Sequence, residues 1–162
     1  MANMTPIALA QDVRSVPHRA SLAGISAGTP VLTLSGAIPV EHLTVGDRII
    51  TRDGARNLRG IHTEMHRNAR MIFVAASALG IDQPEEDLRI APEQQILIRD
   101  WRAKALKGAD QAMVAAAKLI DGEYIRAETI AEQRLFVLEF DAPAIIYAGG
   151  LELACTPALV EA

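Results

Sequence analysis

The chain has 162 residues, half of them hydrophobic and 22% charged, which is enough apolar matter for a buried core and too much for a disordered chain. A formal charge of −4 argues against nucleic acid or an anionic membrane as the main partner, and no apolar run approaches the roughly 18 residues needed to span a bilayer. The single cysteine, Cys155, excludes an internal disulfide framework and a thiolate zinc cage within one chain, and the opening MANMTPIALAQDVRSVPHRA lacks the basic start and apolar stretch of a secretion signal, so a cytoplasmic location is expected.

Residues 1–23 carry no steady hydrophobic period and contain two prolines; they predict a flexible arm, with the ordered body beginning near Gly24. From Ala27 to Gly54 the pattern is dense. Val31 and Thr33 alternate with Leu32 and Leu34 as in a strand, Ser35-Gly36 turns the chain, and an apolar crossing over 38–43 leads to a bend at Gly46-Asp47. A second strand over 48–52 ends at Asp53-Gly54, a strong hairpin signal. Residues 57–62 and 71–75 predict two further strands, 77–86 a loop or short helical turn, and 88–91 and 95–99 two short strands around Pro92. The Ala-rich stretch 110–120 has helical spacing and stops at Asp121-Gly122. Residues 134–140 alternate as a strand, Pro143 interrupts, and 145–148 resumes before Gly149-Gly150. Short strands with turn signals every 8–12 residues or so predict an all-β architecture with little helix.

The segment G-T-x-V-x-T followed by P-V-E-x-L-x-x-G-D-x-I-x-T-x-D-G, as it stands between Gly28 and Gly54, resembles the opening of a Hint domain, the self-processing module shared by hedgehog C-terminal domains, inteins and a set of bacterial proteins. Two later blocks carry the same resemblance. APEQQILIRDWRAKALKG with VAAAKLIDGEYI places Pro92, Leu97, Trp101-Arg102-Ala103, Leu119 and Gly122 where a bacterial stand-alone subfamily has them. VLEFDAPAIIYAGGLELACTP matches its terminal strands. The resemblance implies a horseshoe-like Hint fold over 24–157, an arm over 1–23 and a short tail over 158–162.

It also implies a chemistry, and there the sequence departs from the family. Hint self-processing needs a cysteine or serine at the first position of the domain, a threonine and a histidine spaced T-x-x-H, and often a further histidine in the last strands. Those positions hold Gly24, Ala91 and Gln94, with Val137 or Pro143 at the last. Glycine has no nucleophile, and a glutamine amide does not carry a proton on and off near neutral pH. Loss of nucleophile or base costs on the order of 10⁶ in rate. The expectation is therefore a degenerate Hint domain, a non-catalytic structural or protein-binding module that takes a protein or peptide partner in the former cleft and needs no cofactor. Two alternatives stand beside it. Ser26, two residues after Gly24 and on the same side of an ideal strand, is a substitute nucleophile for the Ile25–Ser26 bond. His62, Glu64 and His66 share a strand face with metal-ligand chemistry; the plainer expectation there is a solvated hairpin tip. Cys155 reads as a small buried hydrophobe, the four acids of 82–87 as a solvated loop, and Arg99, Arg102, Lys104 and Lys107 around Trp101 as a salt-paired surface.

Overall fold

A computed structural model describes residues 22–155; most of the arm expected over 1–23 and all of the tail expected over 158–162 lie outside the described residues. The described residues form twelve strands and one short α-helix in the order β1 (Ile25–Ser26), β2 (Pro30–Thr33), β3 (Gly36–Pro39), β4 (Arg48–Thr51), β5 (Gly54–Asn57), β6 (Gly60–Val74), β7 (Leu88–Ile90), β8 (Gln95–Ile98), α1 (Trp101–Lys107), β9 (Ala112–Ala115), β10 (Ile125–Glu139), β11 (Ala144–Ala148) and β12 (Leu151–Cys155). Strands β1, β10, β6 and β7 close on one another, while β3-β2-β4-β11-β12-β8-β9 form a second sheet with β5 paired to β4. No described helix is long and apolar enough to cross a membrane.

Two hairpins are built from one local recipe. In β2–β3 the Thr33 hydroxyl donates to the Gly36 carbonyl at 2.8 Å and accepts from the Ser35 N–H at 3.0 Å. In β4–β5 Thr51 does the same with Gly54, at 2.7 Å, and Asp53, at 3.0 Å. Both threonines are buried, so each hydroxyl closes its turn and satisfies itself. The strands leading into these turns, with β8, β11 and β12, alternate buried residues with half-buried or exposed ones. Their inward set, including Val31, Ile49, Ile96, Ile146 and Leu153, packs with Phe140 into the main core.

The two strands expected over 57–62 and 71–75 are replaced by one. β6 runs for 15 residues against β10, also of 15, from Gly60 opposite Glu139 to Val74 opposite Ile125. Its midsection, Thr63 to Asn68, is mostly exposed and polar, so no apolar alternation marks it as a strand. Cross-strand pairing to β10 supplies what the local pattern lacks. Asn68 adopts φ +50° within this ribbon, a conformation that asparagine tolerates better than most residues.

The helix expected over 110–120 is also corrected. Ala112–Ala115 is strand β9, paired with β8, and Ala116–Leu119 is a 3-10 turn. Burying Val114 opposite Ile96 outweighs the helix preference of the alanines around it. The α-helix lies earlier, at Trp101–Lys107. Asp100 caps its start by accepting the Arg102 N–H at 2.9 Å, and Gly108, at φ +70°, caps its end. Three of the four basic side chains there are paired as expected, and Lys107 makes no ion pair among the described residues. Arg99 meets Glu152 at 2.8 Å, Lys104 meets Asp110 at 3.5 Å, and Arg102 pairs with Asp100 and lies over the Trp101 ring.

Candidate functional site

The described chain enters along the turn that joins β7 to β8. The Leu22 carbonyl accepts the Glu93 N–H at 2.9 Å, and Gly24 is buried just before β1. β1 itself is held between Ile90 of β7 and Phe136 of β10. This clamping brings the expected site residues together. The Gly24 N–H donates to Oε1 of Gln94 at 3.1 Å. Gln94 sits at the end of the turn opened by Ala91, its own N–H donating to the Ala91 carbonyl at 3.1 Å.

The orientation of the Gln94 amide is fixed by its partners. Nε2 donates to the Ala154 carbonyl at 2.8 Å and the Gln95 carbonyl at 3.2 Å. A flipped amide would set its NH₂ against a backbone N–H and its oxygen against two carbonyls. Oε1 therefore points at the Gly24 amide as an acceptor. Gly24 takes φ +125°, and a Cβ placed there would lie 3.1 Å from the Phe136 carbonyl oxygen and 3.4 Å from side-chain atoms of Leu135 and Val137. Replacing it with alanine is expected to cost on the order of 1–3 kcal/mol of strain, measurable by urea denaturation.

Gly24, Gln94, Val137 and Cys155 line one small cavity of about 70 Å³. Val137, on β10, lies beside the site, whereas Pro143 is exposed and lines no part of this cavity. Cys155 is buried, as expected of a small hydrophobe; its presence beside Gly24 is not legible in the sequence, where 130 residues lie between the two. Burial pushes the Cys155 thiol up to about 12, so near neutral pH it is a thiol and not the nucleophilic thiolate.

Ser26 does not share that cavity. β1 is only two residues long, and the positive φ of Gly24 breaks the alternation that would align them. The Ser26 hydroxyl donates to the Arg89 carbonyl at 2.6 Å and lies 3.4 Å from the Thr29 hydroxyl. It faces a second cavity of about 550 Å³, walled on one side by Glu85, Glu86 and Asp87. At its edge the Gly28 N–H donates to Glu41 at 2.7 Å, a bond that holds the Glu41 carboxyl below its ordinary range. The four acids of 82–87 are exposed, as expected of a solvated loop, and Glu85, Glu86 and Asp87 also line this cavity.

His62, Glu64 and His66 lie on β6, within the long ribbon and not at a hairpin tip. His62 Nε2 is 2.9 Å from Glu139 on β10, and His66 Nε2 is 3.0 Å from Glu64. Among the described residues no three His, Cys, Asp or Glu side chains are grouped to hold a metal ion.

A family model described as "Hint domain" matches residues 23–155. Among solved structures, the chain is similar to a bacterial intein-like domain from Clostridium thermocellum, with a TM-score of 0.58 and 15% identity over 84% of this chain and 99% of that one. It is similar also to the gp41-1 intein, with a TM-score of 0.55 and 12% identity over 82% and 98%. The MchDnaB-1 intein gives 0.53 and 17% over 82% and 98%. At these identities the likeness is one of fold. No curated protein matches the sequence. With its strands, its register and the family match spanning nearly all described residues, the chain belongs to the Hint domain family.

Proposed function

We propose that this protein keeps the Hint scaffold without its self-processing chemistry and serves as a non-catalytic structural or protein-binding module. The observation that supports this is the bond from the Gly24 N–H to Gln94 Oε1. An acyl shift at this position must protonate a departing amide, and the group nearest that amide is an acceptor with no proton to give. No thiol or hydroxyl belongs to Gly24, and its φ of +125° with the Phe136 carbonyl close by leaves little room for one. A cleft of about 70 Å³ admits a small side chain, so a protein partner would meet the rim of this site more than its interior.

The test is the intact mass of the purified chain, taken with and without hydroxylamine or dithiothreitol. One unchanged mass is the expected result. Fragments divided near Gly24 or Ser26 and abolished by Ser26→Ala would overturn the reading and favour an ester route at the Ile25–Ser26 bond. The combined variant Gly24→Cys, Ala91→Thr, Gln94→His is expected to stay uncut as well, because the backbone at position 24 is shaped for glycine.

A further inference from the structure

Strand β9 ends the second sheet, with β8 on one side and no strand on the other among the described residues. Its register fixes which backbone groups point outward. The Ala116 N–H donates to the Gln94 carbonyl at 3.0 Å, and opposed residues of an antiparallel pair alternate between hydrogen-bonded and non-bonded. Val114 therefore faces Ile96 as a bonded pair, while Met113 and Ala115 turn their N–H and C=O groups away from β8. Among the described residues those groups meet no other backbone segment, and both residues are only half-buried.

Folded proteins guard an open edge with proline, charge or a bulge, because it is a template for another strand. Other open edges of this fold are guarded in that way. β3 closes on Pro39, β5 carries Arg56, and the flanks of the β6–β10 ribbon carry charges such as Arg67 and Glu132. β9 reads Ala-Met-Val-Ala, with no charge, no proline and no break in its register with β8.

We propose that β9 pairs with the β9 of a second copy of this chain, antiparallel about a two-fold axis at Val114, so that the two second sheets join into one. Met113 of each copy then falls opposite Ala115 of the other, and their outward groups exchange hydrogen bonds. The flanking charges favour this register. Asp110 lies four residues before Val114 and Lys118 four residues after it, so each end of the ladder brings a carboxylate of one copy toward an ammonium of the other. Lys118 is exposed and makes no ion pair among the described residues, and Asp110 has only an exposed contact with Lys104 at 3.5 Å. A parallel pairing would instead set like charges side by side. The 3-10 turn at Ala116–Leu119 ends the ladder, which keeps the buried area below the ~1,200 Å² of a standard interface and the dimer weak, with a Kd on the order of 0.1 mM. Such pairing is independent of whether the chain cuts itself.

Sedimentation velocity of the full chain, from about 10 μM to about 1 mM, is expected to show the mass rising from one chain toward two. The Met113 and Ala115 amide resonances should shift over the same range. Ala115 already has φ −65°, the angle a proline ring holds, and its N–H points away from β8. Ala115→Pro therefore removes a donor between copies without touching the β8 ladder. It is expected to melt no lower than the parent and to stay monomeric throughout. Lys118→Asp is expected to weaken association about tenfold, and Asp110→Lys with Lys118→Asp, which exchanges the two signs, to restore it. A monomer at the highest concentration, undiminished dimerisation in folded Ala115→Pro, or a sign-exchanged variant no better than Lys118→Asp would overturn the proposal. A monomer whose Met113 and Ala115 amides shift only with a blocked Thr-Val-Thr-Val peptide would overturn it in favour of a strand from another protein.

Discussion

Gly150→Ala is expected to destabilise the protein by on the order of 3 kcal/mol, combining backbone strain with overpacking. Gly149 and Gly150 join β11 to β12 at φ +60° and +88°, the paired positive values that a two-residue hairpin turn demands. Gly150 also lies under the loop that carries the cavity acids. A Cβ there would fall well inside contact distance of the Asp82 carbonyl, 2.8 Å from the Glu85 nitrogen and 2.9 Å from the Glu85 Cγ. Two of those three atoms are backbone, so relief requires the loop to lift. Lifting it strains the bond from the Glu85 N–H to the Gly149 carbonyl, 3.0 Å long. Gly36→Ala supplies the comparison, since Gly36 has φ +104° with nothing within 4 Å of a built Cβ. Urea denaturation of both variants separates strain from collision. A Gly150→Ala cost no larger than that of Gly36→Ala would remove the close approach from the account.

Alkaline pH is the second large effect, and it acts through Cys155. Burial raises its folded pKa from 9.0 to about 12, so the neutral thiol is favoured in the native state. The stabilisation linked to this group is fully present below pH 9 and is lost as pH rises through the interval from 9 to about 12, where the unfolded chain deprotonates first. The limiting slope is about 1.4 kcal/mol per pH unit, so a loss of about 4 kcal/mol accumulates across that interval. Tyrosines and lysines titrate in the same range, and Cys155→Ala isolates the cysteine's share. The difference in stability between wild type and variant should shrink steadily from pH 9 upward; a difference independent of pH would contradict burial as the cause. Dithionitrobenzoate should label the thiol only as the protein opens.

Turn chemistry made the first third of this fold legible. Ser35-Gly36 and Asp53-Gly54 announce their hairpins locally, and each preceding threonine closes its own turn. The β6–β10 ribbon was seen only at its apolar ends, since Thr63 to Asn68 are ordered by a partner strand far along the sequence. Helix α1 leaves a readable trace in Asp100 and Gly108, a polar cap before Trp101 and a glycine after Lys107. The Ala-rich run after it drew the helix assignment instead. At the site, Gly24, Ala91 and Gln94 are named by the resemblance of the surrounding motifs to the Hint pattern. The amide orientation of Gln94, the placing of Cys155 beside it and the cavity under Glu85 and Glu86 depend on contacts between distant strands, which spacing does not encode.

The ladder between β6 and β10 has a kinetic consequence. Every rung ties together residues roughly 50 to 80 positions apart, so each closes a long loop before any contact repays the entropy. Assembly should therefore be slow for a protein of this size, in the millisecond-to-second regime of all-β topologies. Until the second half of the chain arrives, the nascent β6 must wait with an open edge, and its polar, charged midsection discourages a foreign strand from taking the vacant place.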